Sequence, residues 1–236
     1  MSPADQRKAY RIYLYLAALF ITSLVVSNLI FQKFFYWQPF GDITLFGAPL
    51  FEISVGILPY PITFLITDLI SEIYGRKKAN QVVTAGIFAS FFSMGIVLLA
   101  NALPAIEASP VDDTLFSRVF ALSPVAVLAS MIAYLFAQYV DIAIYHFWKR
   151  VTHGKHLWLR NNFSTFSSQI IDTTTVVSLL CVFGVLPWSM FYGLVVSGVI
   201  FKIIIAFLDT PLLYFFVYLM RRRFHLEPND EIDLNF

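Results

Sequence analysis

The chain has 236 residues, of which 58% are hydrophobic, 17% aromatic and only 13% charged, with a formal net charge of +1. A soluble domain carries roughly 25% charged residues, so this chain lacks the polar surface to face water on every side, and most of its exterior must face lipid. The balanced charge excludes the basic surface that nucleic acid requires, and a single cysteine, Cys181, excludes an intramolecular disulfide.

Along the chain, six apolar stretches predict transmembrane helices in a single domain over 1–236, an all-α membrane protein. The first covers 11–31, from Arg11 to Phe31; it is longer than the apolar core of a signal peptide and reads as a retained helix. The second covers 53–74 and is entered through Pro59 and Pro61. The third, 80–103, ends at Pro104. The fourth, 124–148, starts at Pro124, which suits a first helical turn. The fifth, 165–186, ends before Pro187. The sixth, 188–219, is long, with Pro211 expected to kink it.

The loops alternate in character. Residues 32–52 hold Phe34, Phe35, Tyr36, Trp37 and Phe40 with a Gly41-Asp42 turn signal, as in a re-entrant or interfacial segment. Residues 104–118 carry Glu107, Asp112 and Asp113 and read as a solvated loop. The tail 224–236 is acidic and is expected to be disordered.

Basic residues fix the orientation. Arg7, Lys8 and Arg11 precede the first span; Arg76, Lys77 and Lys78 follow the second. Lys149, Arg150, Lys155 and Arg160 lie between the fourth and fifth, and Arg221, Arg222 and Arg223 follow the sixth. Cytoplasmic loops concentrate Lys and Arg, so six spans place both termini in the cytoplasm.

Six ionisable side chains fall inside or at the edge of these spans: Asp68, Glu72, Asp141, Asp172, Lys202 and Asp209. Each costs roughly 2.5–3.5 kcal/mol at bilayer depth if it faces lipid, so they must face an interior. Helical spacing adds companions: Tyr134, Gln138 and Asp141 on the fourth span; Asn162, Thr165, Gln169 and Asp172 on the fifth; Lys202 and Asp209 on the sixth. Pro61, Asp68 and Glu72 align on the second, as Asn28 and Gln32 do on the first. One polar stripe per helix is the pattern of a cavity between helices. Asn28, Gln32 and Gln169 could equally serve helix–helix contacts, and Glu72 could simply pair with Arg76. Asp209 and Glu72 are candidates for proton or ion coupling.

Catalytic groupings are missing. His146, His153, His156 and His225 all lie at or beyond the helix ends, and no metal-ligand spacing, phosphate loop or nucleophile elbow occurs. No metal or cofactor is implied, and an intramembrane enzyme would lack an activating base.

Several segments resemble one family. Leu58-Pro59-Tyr60-Pro61-Ile62-Thr63-Phe64-Leu65-Ile66-Thr67-Asp68-Leu69 is similar to the P-x-x-F-x-x-T-D signature of the queuosine precursor transporter family, earlier labelled a vitamin-uptake family. Ser27-Asn28, Ala133-Tyr134 with Gln138 and Asp141, Ser164-Thr165 with Asp172-Thr173, and Phe201-Lys202 with Pro211 extend the resemblance over 10–225. It implies import of 7-cyano-7-deazaguanine or 7-aminomethyl-7-deazaguanine across a bacterial inner membrane, and a likeness to the six-helix substrate-binding subunits of energy-coupling-factor transporters. The alternative it leaves is a binding subunit that needs an ATP-driven partner, for this or another purine- or vitamin-like solute. A small pair, Ala85 and Ala89, would allow close helix contact with such a partner. A homo-oligomer is compatible with either.

The chemistry of such a solute suits these residues. A carboxylate accepts an N1–H and an exocyclic amine as a bidentate pair, a role open to Asp68, Asp141 or Asp172. Gln138, Gln169 or Asn28 could meet the ring carbonyl and N3. Tyr60, Phe64 and Tyr134 could stack on the ring, and Lys202 could donate to the carbonyl or pair with an acid when no solute is bound.

Overall fold

The computed structural model of the protein describes residues 2–31, 33–37, 41, 43–45, 48–49, 52–120, 124–153, 155–184, 186–227 and 230–234. For residues 45, 48, 49, 52 and 124–130 it describes the backbone alone. Gln32, Phe40 and Asp42 lie outside the described residues.

Helix α1 (Pro3–Ile30) begins eight residues before the apolar stretch does. Ser2 caps it, its hydroxyl accepting the Asp5 N–H at 3.1 Å, and Pro3 occupies the first turn, so local capping chemistry overrides hydropathy at this end. An antiparallel pair follows, β1 (Phe34–Tyr36) with β4 (Glu52–Ser54), enclosing the short β2 (Thr44–Leu45) and β3 (Ala48–Pro49). A 3-10 turn (Val55–Ile57) leads into α2 (Tyr60–Ile73). The aromatic loop is therefore a hairpin. It folds back onto the bundle, where Trp37 meets Phe201 edge-on at 5.3 Å and Ile53 packs beside them.

The second span is met by Val55–Ile73, but the α-helix is only its later part. Only 14 of its residues are helical, about 21 Å of helix, because Pro59 and Pro61 fix the helix start inside the apolar stretch. Ser27 donates to the Gly56 carbonyl and Ser54 to the Phe31 carbonyl, joining the 3-10 turn to the end of α1. A Cβ on Gly56 would fall 2.8 Å from the Ser27 carbonyl oxygen and 2.9 Å from the Phe31 Cα, so this close approach requires glycine.

Helices α3 (Gly75–Ala102), α4 (Asp113–Phe120), α5 (Pro124–Val151), α6 (Leu157–Val182) and α7 (Phe191–Phe224) complete the chain. The loop expected over 104–118 thus contains part of α4, started by Asp112, whose carboxylate accepts the Leu115 N–H at 2.7 Å. Pro211 lies within α7, which continues through it. Helix α6 starts eight residues before its predicted span because Arg160, which read as loop, and Asn161 and Asn162 are buried against neighbours.

Among the described residues, five stretches are long and apolar enough to cross a membrane: Pro3–Ile30, Val55–Ile73, Gly75–Ala102, Leu157–Val182 and Trp188–Phe224. Helix α5 is a further 28-residue helix, packed on α6. Helix α2 is the centre, touching α1, α3, α5 and α7. Ten of its 14 residues are buried, as expected of a helix enclosed on all sides. The outer helices instead expose Phe88, Phe92, Phe136, Tyr192 and Phe215, which suits contact with lipid.

Both termini lie at one end of the bundle, where Arg223 pairs with Asp5 at 3.3 Å. The α2–α3 turn is there too: Tyr74 donates to the Ala9 carbonyl at 2.8 Å. Contrary to expectation, the acidic tail is ordered over 230–234. The Ile232 N–H donates to the Ile73 carbonyl at 2.7 Å, Glu231 pairs with Lys149 at 2.9 Å, and Ile232 and Leu234 are buried in the main core. Two apolar residues alternating with acids gave the tail an anchor that its composition concealed.

Candidate functional site

The buried acids occupy separate settings rather than one chamber. Glu72, wholly buried near the end of α2, is caged. Arg160 of α6 donates to it at 2.6 Å and Tyr145 of α5 at 2.9 Å; Arg221 of α7 is bonded to the same carboxylate, and Lys149 lies at 3.9 Å. These cations, not Arg76, are its ion-pair partners. The cage ties α2, α5, α6 and α7 together at the end that holds the termini. Sequence reasoning missed Arg160 and Arg221 because both read as loop or helix-end charges.

Asp68 and Asp141, nine residues or fewer from that cage along their helices, form the second setting. Their carboxyl groups face each other within hydrogen-bonding reach. Ser168 of α6 donates to Asp141 Oδ1 at 3.0 Å. Asp68 Oδ1 and Asp141 Oδ2 have no hydrogen-bond partner among the described residues. Ser168 had not been singled out, although it stands one helical turn before Asp172, the spacing that puts both on one face.

The third setting is a pocket between α2, α6 and α7. Its lining includes Tyr60, Phe64, Gln169, Phe201, Lys202 and Asp209. Lys202 Nζ lies 2.7 Å from Asp172 Oδ2 and 4.1 Å from the centre of the Tyr60 ring, an ion pair combined with a cation–π contact. The Tyr60 hydroxyl donates to the same carboxylate oxygen. Asp172 is 3% exposed, and its other oxygen, Oδ1, has no partner among the described residues; neither has Gln169 Oε1. An unsatisfied buried acceptor costs about 1–3 kcal/mol.

Aromatic rings shape the pocket wall. Tyr60 lies 5.1 Å from Phe64 and 5.3 Å from Tyr134. Behind them a relay fixes α5 to α2: Gln138 Nε2 donates to the Tyr134 hydroxyl at 2.7 Å, which donates to Thr63 Oγ1 at 2.9 Å. Thr63 in turn donates to the Tyr60 carbonyl at 2.6 Å. Tyr134 therefore supports the wall, while Gln138 keeps a buried Oε1 that has no partner among the described residues. Asp209 is half-buried at the edge of the pocket and has no hydrogen bond or ion pair among the described residues. Asn28 is not among the lining residues; it sits near the far end of α1, its Nδ2 without a partner among the described residues. Asn162 donates to Thr210 at 3.1 Å and fastens α6 to α7.

The cavity in this pocket is only about 20 Å³, far below the volume of a small-molecule site. The site is closed down.

Known proteins point the same way. A family model described as "Putative vitamin uptake transporter" matches residues 54–216, more than half of the chain. That range takes in the start of α2, all of α6 and the pocket-lining part of α7. The "Probable queuosine precursor transporter" of Bacillus subtilis (strain 168) is 26% identical over 178 residues, covering 75% of this chain and 76% of that protein. No solved structure matches. With several membrane-length apolar helices around a central polar one, and a family match running from the β4 strand into α7, this multi-pass membrane protein belongs to the vitamin uptake transporter family.

Proposed function

We propose that the protein imports a queuosine precursor, 7-cyano-7-deazaguanine or 7-aminomethyl-7-deazaguanine, across a bacterial inner membrane. Six helices, α1, α2, α3, α5, α6 and α7, span the bilayer, with both termini in the cytoplasm. The similarity to the Bacillus relative suggests the solute, and the basic residues at the termini end support the orientation. The observation that carries the reading is Asp172: a buried carboxylate bonded through one oxygen to Lys202 and Tyr60, which line the pocket, with its other oxygen free of partners among the described residues.

A deazaguanine presents an N1–H beside an exocyclic amine. Asp172 accepts both, Lys202 turns from the carboxylate to the ring carbonyl, Gln169 accepts a further donor, and Tyr60 and Phe64 stack on the ring. The Glu72 cage keeps the termini end shut while the solute enters from the opposite side. Asp68 and Asp141 lie between the pocket and the cage and serve the coupling of binding to release.

Binding of a panel of guanine analogues to detergent-purified protein tests the solute. Deazaguanines should bind, and analogues lacking the exocyclic amine should not; indifference to that amine removes Asp172 from the role. Replacing Asp68 by Asn should abolish uptake into cells while leaving binding within a few-fold; unaltered uptake would exclude Asp68 from the cycle. Uptake in a host without any energy-coupling module separates a self-sufficient carrier from a subunit that needs an ATP-driven partner.

A further inference from the structure

At the termini end, away from the pocket, Arg76 of α3, His146, Lys149 and Arg150 of α5, and His153 line a groove of about 490 Å³. The single acid among its lining residues is Glu231, delivered by the docked tail. Arg76 and Arg150 are exposed and have no acidic partner among the described residues. Lys149 is 7% exposed and holds Glu231 at 2.9 Å. His146 is 8% exposed, and its Nε2 is buried with no hydrogen-bond partner among the described residues. Lys149, Arg76 and Arg150 all act electrostatically on this histidine, so the cations converge on it.

Lys149 is shared between Glu231 and Glu72, so Arg76 and Arg150 leave a surplus of positive charge in a concave site at the end of a membrane helix. Two guanidinium forks and an ammonium fit the several acceptor oxygens of a phosphate far better than they fit a lone carboxylate. Basic pockets at helix ends on the cytoplasmic side also take phosphate head groups of lipids. We propose that this groove is a phosphate-binding site, for which the Glu231 carboxylate is a built-in competitor.

A phosphate there binds Arg76, Arg150 and Lys149, with His146 Nε2 as a further contact. Glu231 then loses its ion pair, and the segment 230–234 keeps only its apolar contacts and the Ile232 N–H bond to Ile73. Nothing in this depends on which solute the protein carries.

The test uses the full chain in nanodiscs of phosphatidylcholine, with phosphatidylglycerol mixed in or inorganic phosphate titrated in. Native mass spectrometry reads retained phosphatidylglycerol, and phosphorus-31 line broadening reads bound phosphate. Wild type is compared with Glu231→Gln and with the Arg76→Gln/Arg150→Gln double variant, whose two positions are exposed. Glu231→Gln should bind roughly tenfold more tightly and the double variant roughly tenfold more weakly. If the effect is on phosphatidylglycerol, the site takes a lipid head group; if on inorganic phosphate, a soluble anion. Absence of binding of either probe, or binding that the double variant does not weaken, overturns the site, and a Glu231→Gln variant that binds no more tightly than wild type overturns the role of Glu231 as competitor. A melting temperature equal to wild type confirms that the double variant is folded.

Discussion

The carboxylates of Glu72 and Asp172 are both buried, both on helices at the heart of the bundle, and both paired with cations, yet they are built for opposite ends. Glu72 has Arg160, Arg221, Lys149 and Tyr145 around it, drawn from three helices. Asp172 has Lys202 and Tyr60 on one oxygen and nothing among the described residues on the other. A buried charge with every bond satisfied joins helices; one that retains a free acceptor beside a pocket can exchange partners. Burial and charge therefore do not distinguish the two carboxylates, whereas the count of satisfied bonds does.

The comparison can be broken most sharply at Asp172. Asp172→Asn should weaken solute binding by about 100-fold or more, as the loss of charge-assisted hydrogen bonds at about 1.5–3 kcal/mol each implies. Titration of purified protein with a deazaguanine measures it, and an undiminished affinity would reduce Asp172 to a second Glu72.

Glu72→Ala should do the converse. It strands the wholly buried Arg160 and should cost about 3–5 kcal/mol of stability, read by denaturant unfolding in detergent, while the surviving folded protein still binds solute. Loss of binding at unchanged stability would place Glu72 in the transport site after all.

Smaller effects sharpen the picture. Gly56→Ala drives a methyl into the backbone of α1 and should cost about 1–3 kcal/mol. It should also loosen the hairpin over the pocket, seen as faster amide exchange over 52–57. Ser168→Ala removes a hydroxyl donating to Asp141 Oδ1. It should change stability by only about 1 kcal/mol and leave solute affinity unaltered, since Ser168 does not line the pocket.

Much of the fold was legible because lipid imposes a simple rule. Apolar length marks helices whose backbone must satisfy itself, and α1, α3, α6 and α7 all follow from it. The rule failed where other chemistry took over. Ser2 capped a polar first turn, Pro59 and Pro61 cut the second span short, and the buried Arg160 extended α6 beyond its hydrophobic limit. In the site, Tyr60, Phe64, Gln169 and Lys202 were legible as polar or aromatic residues at helical spacing, and the structure gathers them with Asp209 around one pocket. Asn28 has the same signature yet stands apart from it, since spacing orders residues along one helix and says nothing of how that helix is rotated against its neighbours.

The sequence by itself determined that this is a multi-helix membrane protein, which helices carry buried acids, and which residues share a face with them, because hydrophobic length and the helical repeat are properties of the chain alone. Only the tertiary structure decided which cation meets which acid, that the acids divide among separate settings, and that an acidic tail returns to dock through Ile232 and Leu234. Those outcomes depend on contacts between residues as far apart as Glu72 and Arg221, and no local pattern encodes the distance between two helices.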